Sequence, residues 1–199
     1  MVLRAMQKWP NVPDVYGWLR MDARGNWLLR TAPGRFERIG NQGLVDFIGR
    51  NYGRDARGCW FFQNGPQRVF VGLDHVPFVL HLGEERHWMN QAGIPAGAVR
   101  AVLFDEEDRV LLDAECGPGL VIDRDLPALL DGLGDNAGRA GVETIVDDLL
   151  MALAEPGSRR ELTLFGQRLT GERVRSSDLP SRFGFVPEPQ SDSTEQDAG

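Results

Sequence analysis

The sequence predicts an α+β fold: a mostly antiparallel sheet built from two related strand-strand-helix-strand units, with helices packed against it. Three observations predict it. Apolar and polar residues alternate in runs punctuated by turn residues, as in "VYGWLRMDARGNWLLR" and "CWFFQNGPQRVFVGLDHVPFVLHL", the period-2 signature of strands joined by tight turns. Between those runs stand short stretches of helical period. Finally, "DARGNWLL" (22–29) overlies "DEEDRVLL" (105–112) at an offset of 83. In both, an Asp opens a turn of the same length and a hydrophobic triple begins the returning strand. Ile39 lies ten residues past Leu29 and Ile122 ten past Leu112, each just before an expected helix. A lone hairpin with one helix buries too little surface to stand, whereas two such units can share enough core.

Residues 15–30 read as a hairpin turning at Asp22-Ala23-Arg24-Gly25-Asn26, where Gly and Asn tolerate left-handed backbone angles. "RIGNQGLVDFIGRNYG" reads as a helix capped by Asn41, with Leu44, Val45, Phe47 and Ile48 on its apolar face and Gly53 as its stop. Cys59 to Phe62 is a strand, Asn64-Gly65-Pro66 its turn, and Val69 to Leu73 the returning partner. In "DHVPFVLHL", Pro77 cannot donate to a ladder, so the segment is expected as an edge strand, wet on one side, or as a strand starting after a bend at Val76-Pro77. Residues 83–97, rich in Gly and polar groups, are the linker candidate, which puts a boundary near 90. A second hairpin, a short helix in "GLVIDRDLPALLDGLG", an amphipathic helix near 143–154 ended by Pro156-Gly157, and a strand at "ELTLFGQRL" follow. The expected organisation is a first unit over 1–90, a second, related unit with the extra helix over 91–186, and a disordered acidic tail over 187–199.

At 199 residues, 42% hydrophobic and 26% charged, the chain is long enough for a real core and too apolar to be mainly disordered. No stretch reaches the ~20 apolar residues of a membrane helix and the N-terminus lacks a signal-peptide core, so the expected address is the cytoplasm, with no membrane partner. Cys59 and Cys116 fit neither a disulfide framework nor a zinc pattern and read as buried hydrophobes. The net charge of -7 is unevenly divided: residues 1–70 hold eleven Lys or Arg against five Asp or Glu, and the rest hold eleven against twenty-four. That asymmetry serves either an anionic ligand or attraction between the two halves. No nucleic-acid-binding module is recognisable, so no nucleic-acid partner is expected.

The run from "YGWLRMDARGNWLLR" through "IGNQGLVDFIGRNYG" to "CWFFQNGPQRVFV" and "DHVPFVLHL", strongest at "FFQNGPQRV", resembles an uncharacterised proteobacterial family of unknown function. It is also distantly similar to another bacterial family of unknown function whose fold repeats strand-helix motifs and for which signal transduction has been suggested. The resemblance spans roughly residues 10 to 130 and implies a duplicated fold. It carries no catalytic residue or ligand onto positions of this chain.

No catalytic constellation, metal site or cofactor motif emerges from the residues. His75, His81 and His87 are spaced too widely for strand ligands. Asp105-Glu106-Glu107-Asp108 lacks the alternation and glycine of a calcium loop and reads as a turn. Gly117-Pro118-Gly119 has no following Lys-Ser/Thr, and no Ser sits in a nucleophile elbow. The candidate binding residues are Gln63, Asn64, Gln67 and Arg68, polar groups around a turn between two apolar strands, with Trp60 and His75 as neighbours. The expected function is a non-enzymatic module for a small ligand or a signal. The alternative is a protein-interaction or assembly factor using exposed sheet edges such as 76–82, with an enzyme ranked last.

Overall fold

A computed structural model describes residues 12–134, 149 and 151–191. The chain divides into two compact units, one formed by residues up to Asp74 together with those from Gly184 onward, the other by His75–Phe183. The division falls between Asp74 and His75, not near residue 90, and the chain after Gly184 returns to the first unit.

The first unit holds strands β1 (Val15–Met21), β2 (Trp27–Ala32), β3 (Arg35–Arg38), β4 (Tyr52–Arg54), β5 (Trp60–Asn64) and β6 (Gln67–Leu73), with helix α1 (Gln42–Arg50) between β3 and β4. They form one sheet in the order β3-β2-β1-β6-β5-β4, parallel at β1–β6 and antiparallel elsewhere. The expected hairpin forms, and its turn is closed by the Asp22 carboxylate, which accepts the amides of Arg24 and Asn26 at 2.9 and 2.8 Å. Asn41 caps α1 as its sequence position predicts, its Oδ1 accepting from the Leu44 amide at 3.1 Å. The helix stops at Arg50 rather than Gly53, because Tyr52–Arg54 pairs with β5 as strand β4.

Strand β3 has no counterpart in the sequence reading. It returns through Pro33-Gly34, with Gly34 at φ +72°, the Pro-Gly order of a type II turn. Only Phe36 of its four residues is apolar, so no alternation betrays it. Register sorts the side chains onto two faces. Leu19, Met21, Val71, Leu73 and Trp27 share the buried face, where Trp27 meets Tyr52 edge-on at 5.1 Å and Phe47 of α1 meets Phe62 at 5.3 Å. Residues after Gly184 are tied into this unit: Phe185 is buried, Val186 bridges Cys59, and the Leu73 amide donates to Pro187 O at 2.8 Å. Pro187 to Ser191 of the expected tail are thus described residues, while 192–199 lie outside them.

The second unit holds β7 (Phe78–Leu82), β8 (Trp88–Asn90), β9 (Val99–Phe104), β10 (Val110–Ala114), β11 (Gly117–Val121), helix α2 (Leu126–Gly132), β12 (Leu133–Gly134), β13 (Arg159–Leu164), β14 (Gln167–Arg173) and helix α3 (Leu179–Phe183). The sheet order is β12-β13-β14-β9-β10-β11-β7-β8, parallel at β14–β9 and β11–β7. Both sheets are therefore mixed, although antiparallel ladders predominate. Of the helix expected near 143–154, residues 149, 151 and 152 are helical, and 143–148 and 150 lie outside the described residues.

Segment 76–82 is not an edge. The strand begins after Val76-Pro77, and β7 is flanked by β11 on one side and β8 on the other. Phe78, Val79 and Leu80 are all buried, so neither face of its first half is wet. Gln91 takes over the pairing that Pro77 interrupts: its Oε1 accepts the Val79 amide at 3.1 Å and its Nε2 donates to Pro77 O at 3.4 Å. The expected linker 83–97 contains β8 and this clamp.

Candidate functional site

The turn singled out in the sequence is well satisfied by its own chain. Gln63 Nε2 donates to Gly65 O at 2.8 Å and Gln67 O at 3.3 Å, and Gln67 Nε2 donates to Pro13 O at 3.0 Å. Asn64 pairs with Gln67 across the turn, and the Arg68 guanidinium lies 4.9 Å over the Phe61 ring. These four residues are brought together. Trp60 is not with them: it starts β5 at the far end, on the face opposite Gln63 and Arg68, against Tyr52 at 4.8 Å. His75 belongs to the second unit, where its side chain is 5% exposed and its Nε2 donates to Asp105 Oδ2 at 3.2 Å. The same carboxylate oxygen accepts Arg109 Nε at 2.6 Å. His75 Nδ1 is buried and has no hydrogen-bond partner among the described residues.

A concave site lies away from these residues, in a stretch without a sequence motif. A cavity of about 310 Å³ opens in the second unit, lined by Pro156, Gly157 and residues from Glu172 to Arg182. Its walls follow from strand alternation and a tight return. At the end of β14, Glu172 and Val174 are buried while Arg173 and Arg175 turn outward. The Ser176–Asp178 turn then hands the chain to α3. Glu106 fixes that turn by accepting from both the amide and the hydroxyl of Ser176. α3 is seated by Leu179, which is 1% exposed. Helix α3 thereby carries Arg182 back over β14.

Three arginines converge on the cleft with different commitments. Arg182 grips Glu172 in a two-pronged pair, Nη1 to Oε1 at 2.7 Å and Nη2 to Oε2 at 3.0 Å, and Arg159 adds a third contact at 3.2 Å. Burial of Glu172 works against its charge, but the hydrogen bonds from Arg182 and Arg159 outweigh it and hold the carboxyl below the usual range. Arg173 reaches out to Asp108 at 2.8 Å. Arg175 has no carboxylate partner among the described residues. A buried, ionised Glu172 thus locks Arg182 in place, and Arg175 stands at the rim with its charge uncompensated. That geometry suits an incoming anion, with Val174 and Leu179 as an apolar floor. The signal in the sequence was "ERVRSSDLPSR", three arginines within ten residues beside a strand end.

Among the described residues, no group of three His, Cys, Asp or Glu side chains converges as metal ligands would. Cys116 is a poor nucleophile, since burial pushes its thiol up to about 11. No described helix is long and apolar enough to cross a membrane.

No curated protein matches the chain. Among solved structures, a DUF1285 family protein from Silicibacter pomeroyi DSS-3 is similar at 14% identity, over 62% of this chain and 74% of that one, with a TM-score of 0.46. The family DUF2944, described as "Protein of unknown function (DUF2946)", matches residues 1–190, and the chain belongs to this family of proteins of unknown function.

Proposed function

We propose that the chain is a non-enzymatic module that binds a small anion, a carboxylate or phosphate group, in the cleft between the end of β14 and α3. The observation that carries this reading is Arg175: a guanidinium at the mouth of a concave site, beside Arg173 and Arg182, with no carboxylate partner among the described residues. Arginine's planar fork matches carboxylate and phosphate oxygens in pairs, so such a position favours a bidentate anion. A ligand-dependent signalling role in a bacterial cytoplasm is the setting we attach to it. Cys59 and Cys116 form no disulfide with each other, which accords with that compartment. Gln63 and Gln67 of the turn are left with a mainly structural part, because their side-chain amides already donate to backbone carbonyls.

Titration of phosphate, sulfate, succinate and citrate by calorimetry tests this. At least one should bind, and Arg175→Ala should weaken it by about tenfold or more, the order expected for one charge-assisted pair, with an unchanged melting temperature. Absence of heat with all four anions at low salt, or an undiminished affinity in Arg175→Ala, would sink the proposal.

We also infer that the two units are copies of one ancestral unit. The order β3-β2-β1-β6-β5-β4 recurs as β11-β10-β9-β14-β13-β12, each with its parallel pair at the centre and its helix after the third strand. Replacing residues 22–26 by Asp-Glu-Glu-Asp-Arg, the turn of the second copy, should then change stability by no more than about 1 kcal/mol, the cost of one turn's local chemistry. A misfolded product would count against a shared turn geometry.

A further inference from the structure

The exposed face of the first unit's sheet gathers the basic charge that the sequence places in residues 1–70. Register sorts the residues there. Arg38, Leu28, Arg20 and Gly72 form one row across β3, β2, β1 and β6. Phe36 and Arg30 pair in the next row, and Phe61 pairs further across on the same face with Phe70, which is itself buried. Arg68 and Gln63 lie one step beyond. Tyr16 stacks on Phe70 at 4.4 Å with the rings 3° from parallel, and Arg57 and Arg68 lie over Phe70 and Phe61 at 5.7 and 4.9 Å. Arg20 spans Phe36 at 5.5 Å. Guanidinium planes and aromatic rings therefore alternate across a single strand-built surface.

The charges on this face are not all committed. Arg20 is held by Asp74 and Glu188, and Arg57 by Asp55. Arg30, Arg38 and Arg68 have no carboxylate partner among the described residues. With strands ~5 Å apart and residues ~3.3 Å apart along them, Arg38 and Arg68 are roughly 20 Å from each other at their Cα atoms, with Arg30 between. One small anion cannot touch all three. An extended chain with a negative charge at every repeat can, and the half-exposed rings of Tyr16, Phe36 and Phe61 between the arginines select one whose repeats also stack.

We propose that this sheet face binds single-stranded nucleic acid, its phosphates meeting Arg30, Arg38 and Arg68 and its bases lying against the aromatic rings and the guanidinium planes. This site is separate from the cleft in the second unit, and the two readings stand or fall independently. The sequence carries no recognisable nucleic-acid module because the basic residues are dispersed over 39 positions, from Arg30 to Arg68, and only the sheet brings them onto one face.

The test is fluorescence anisotropy of the full chain with a labelled oligo-dT and oligo-rU of about twelve nucleotides in roughly 50 mM salt. Neutralising three phosphates predicts a log-log salt slope of about -2 for a single strand. Arg30→Gln/Arg38→Gln/Arg68→Gln should weaken binding by tenfold or more, and Phe36→Leu should weaken it without altering the salt slope. Arg175→Gln, in the cleft, should leave it unchanged, which separates failure here from failure of the anion reading. Three outcomes would overturn the proposal: no binding at about 100 μM protein, undiminished binding by the triple variant, or equally tight binding of a poly-glutamate peptide, which carries the charge but no bases. Circular dichroism melting of the triple variant guards against a folding artefact and is expected to match the parent, since none of its three arginines holds a carboxylate among the described residues.

Discussion

At the turn between β1 and β2, Asp22 Oδ1 accepts the amides of Arg24 and Asn26, and at the turn between β9 and β10, Asp105 Oδ1 accepts those of Glu107 and Arg109. The backbones match as well: Asp22 N donates to Asn26 O at 3.1 Å, as Asp105 N does to Arg109 O, and the fourth residue is left-handed in both, Gly25 at φ +78° and Asp108 at +57°. What differs is the second carboxylate oxygen. Among the described residues, Asp22 Oδ2 accepts only the neutral amide of Asn26 at 2.9 Å, in a partly exposed turn. Asp105 Oδ2 accepts Arg109 and His75, and its side chain is 0% exposed. One turn geometry therefore serves as a simple hairpin closure in one unit and as the anchor of a buried charged cluster in the other. The backbone motif fixes where the carboxylate points, and burial decides what that carboxylate is worth.

The largest test of this difference is Asp105→Ala. It takes the buried carboxylate from Arg109, which keeps only the exposed Glu107 at 2.9 Å, leaves His75 buried with neither ring nitrogen bonded among the described residues, and frees two turn amides. A loss of about 3 to 5 kcal/mol is expected, the usual cost of breaking a buried charged pair. Urea unfolding at constant m-value reads it directly. A loss below about 1.5 kcal/mol would mean that burial adds nothing beyond what the Asp22 turn already has.

The pH dependence is the next largest effect. Burial pushes the Asp105 carboxyl up, but the hydrogen bonds from His75 and Arg109 and from the Arg109 and Glu107 amides overcome it and bring it down to about 2. The unfolded value is near the ordinary ~3.9. A group depressed on folding stabilises the fold above its unfolded pKa, and the contribution is lost as pH falls through the folded value. About 2 kcal/mol of stability should therefore disappear between roughly pH 4 and pH 2, and Asp105→Asn should flatten that part of the profile. An unchanged slope in Asp105→Asn would assign the acid sensitivity to other carboxylates. Asp22→Ala, by contrast, should cost only about 1 kcal/mol, for two amides that water can reach.

Much of the fold was legible in the sequence, and the two turns show where legibility ended. The Asp22 and Asp105 turns stood out because each is followed by a hydrophobic triple. A third turn was equally readable and went unnoticed: "DARG" occurs at 22–25 and again at 55–58, and Asp55 accepts the amides of Arg57 and Cys59 at 2.9 Å each while Gly58 takes φ +87°. Had it been read as a hairpin, β4 would have been found and α1 stopped at Arg50. The position of β7 was not readable, because alternation states which face a residue takes and not which strand lies beside it, and its partner β11 is some forty residues on. The cleft was legible as a cluster of arginines but not as a cavity, since the concavity depends on α3 folding back over β14 and on Glu106 holding Ser176 from a different turn.

The finest probe of the comparison is the fourth turn residue. Asp108 occupies the left-handed position that Gly25 fills without strain, a position costing a non-glycine residue about 1 to 2 kcal/mol, less for Asp than for most. Asp108→Gly removes that strain, adds unfolded-state entropy worth about 0.5 to 1 kcal/mol against the fold, and gives up an ion pair to Arg173 whose acid is 68% exposed, worth under about 1 kcal/mol. The contributions oppose, so the urea midpoint should stay within about 0.5 kcal/mol of the parent. The reverse change, Gly25→Asp, introduces the strain without an arginine to meet the new carboxylate and should lower stability by about 1 kcal/mol. If Asp108→Gly instead costs more than about 1.5 kcal/mol, the Asp108–Arg173 pair is a structural tie in the second unit. If it costs nothing, it releases Arg173 toward the cleft, and anion affinity there should rise while that of Gly25→Asp stays at the parent value.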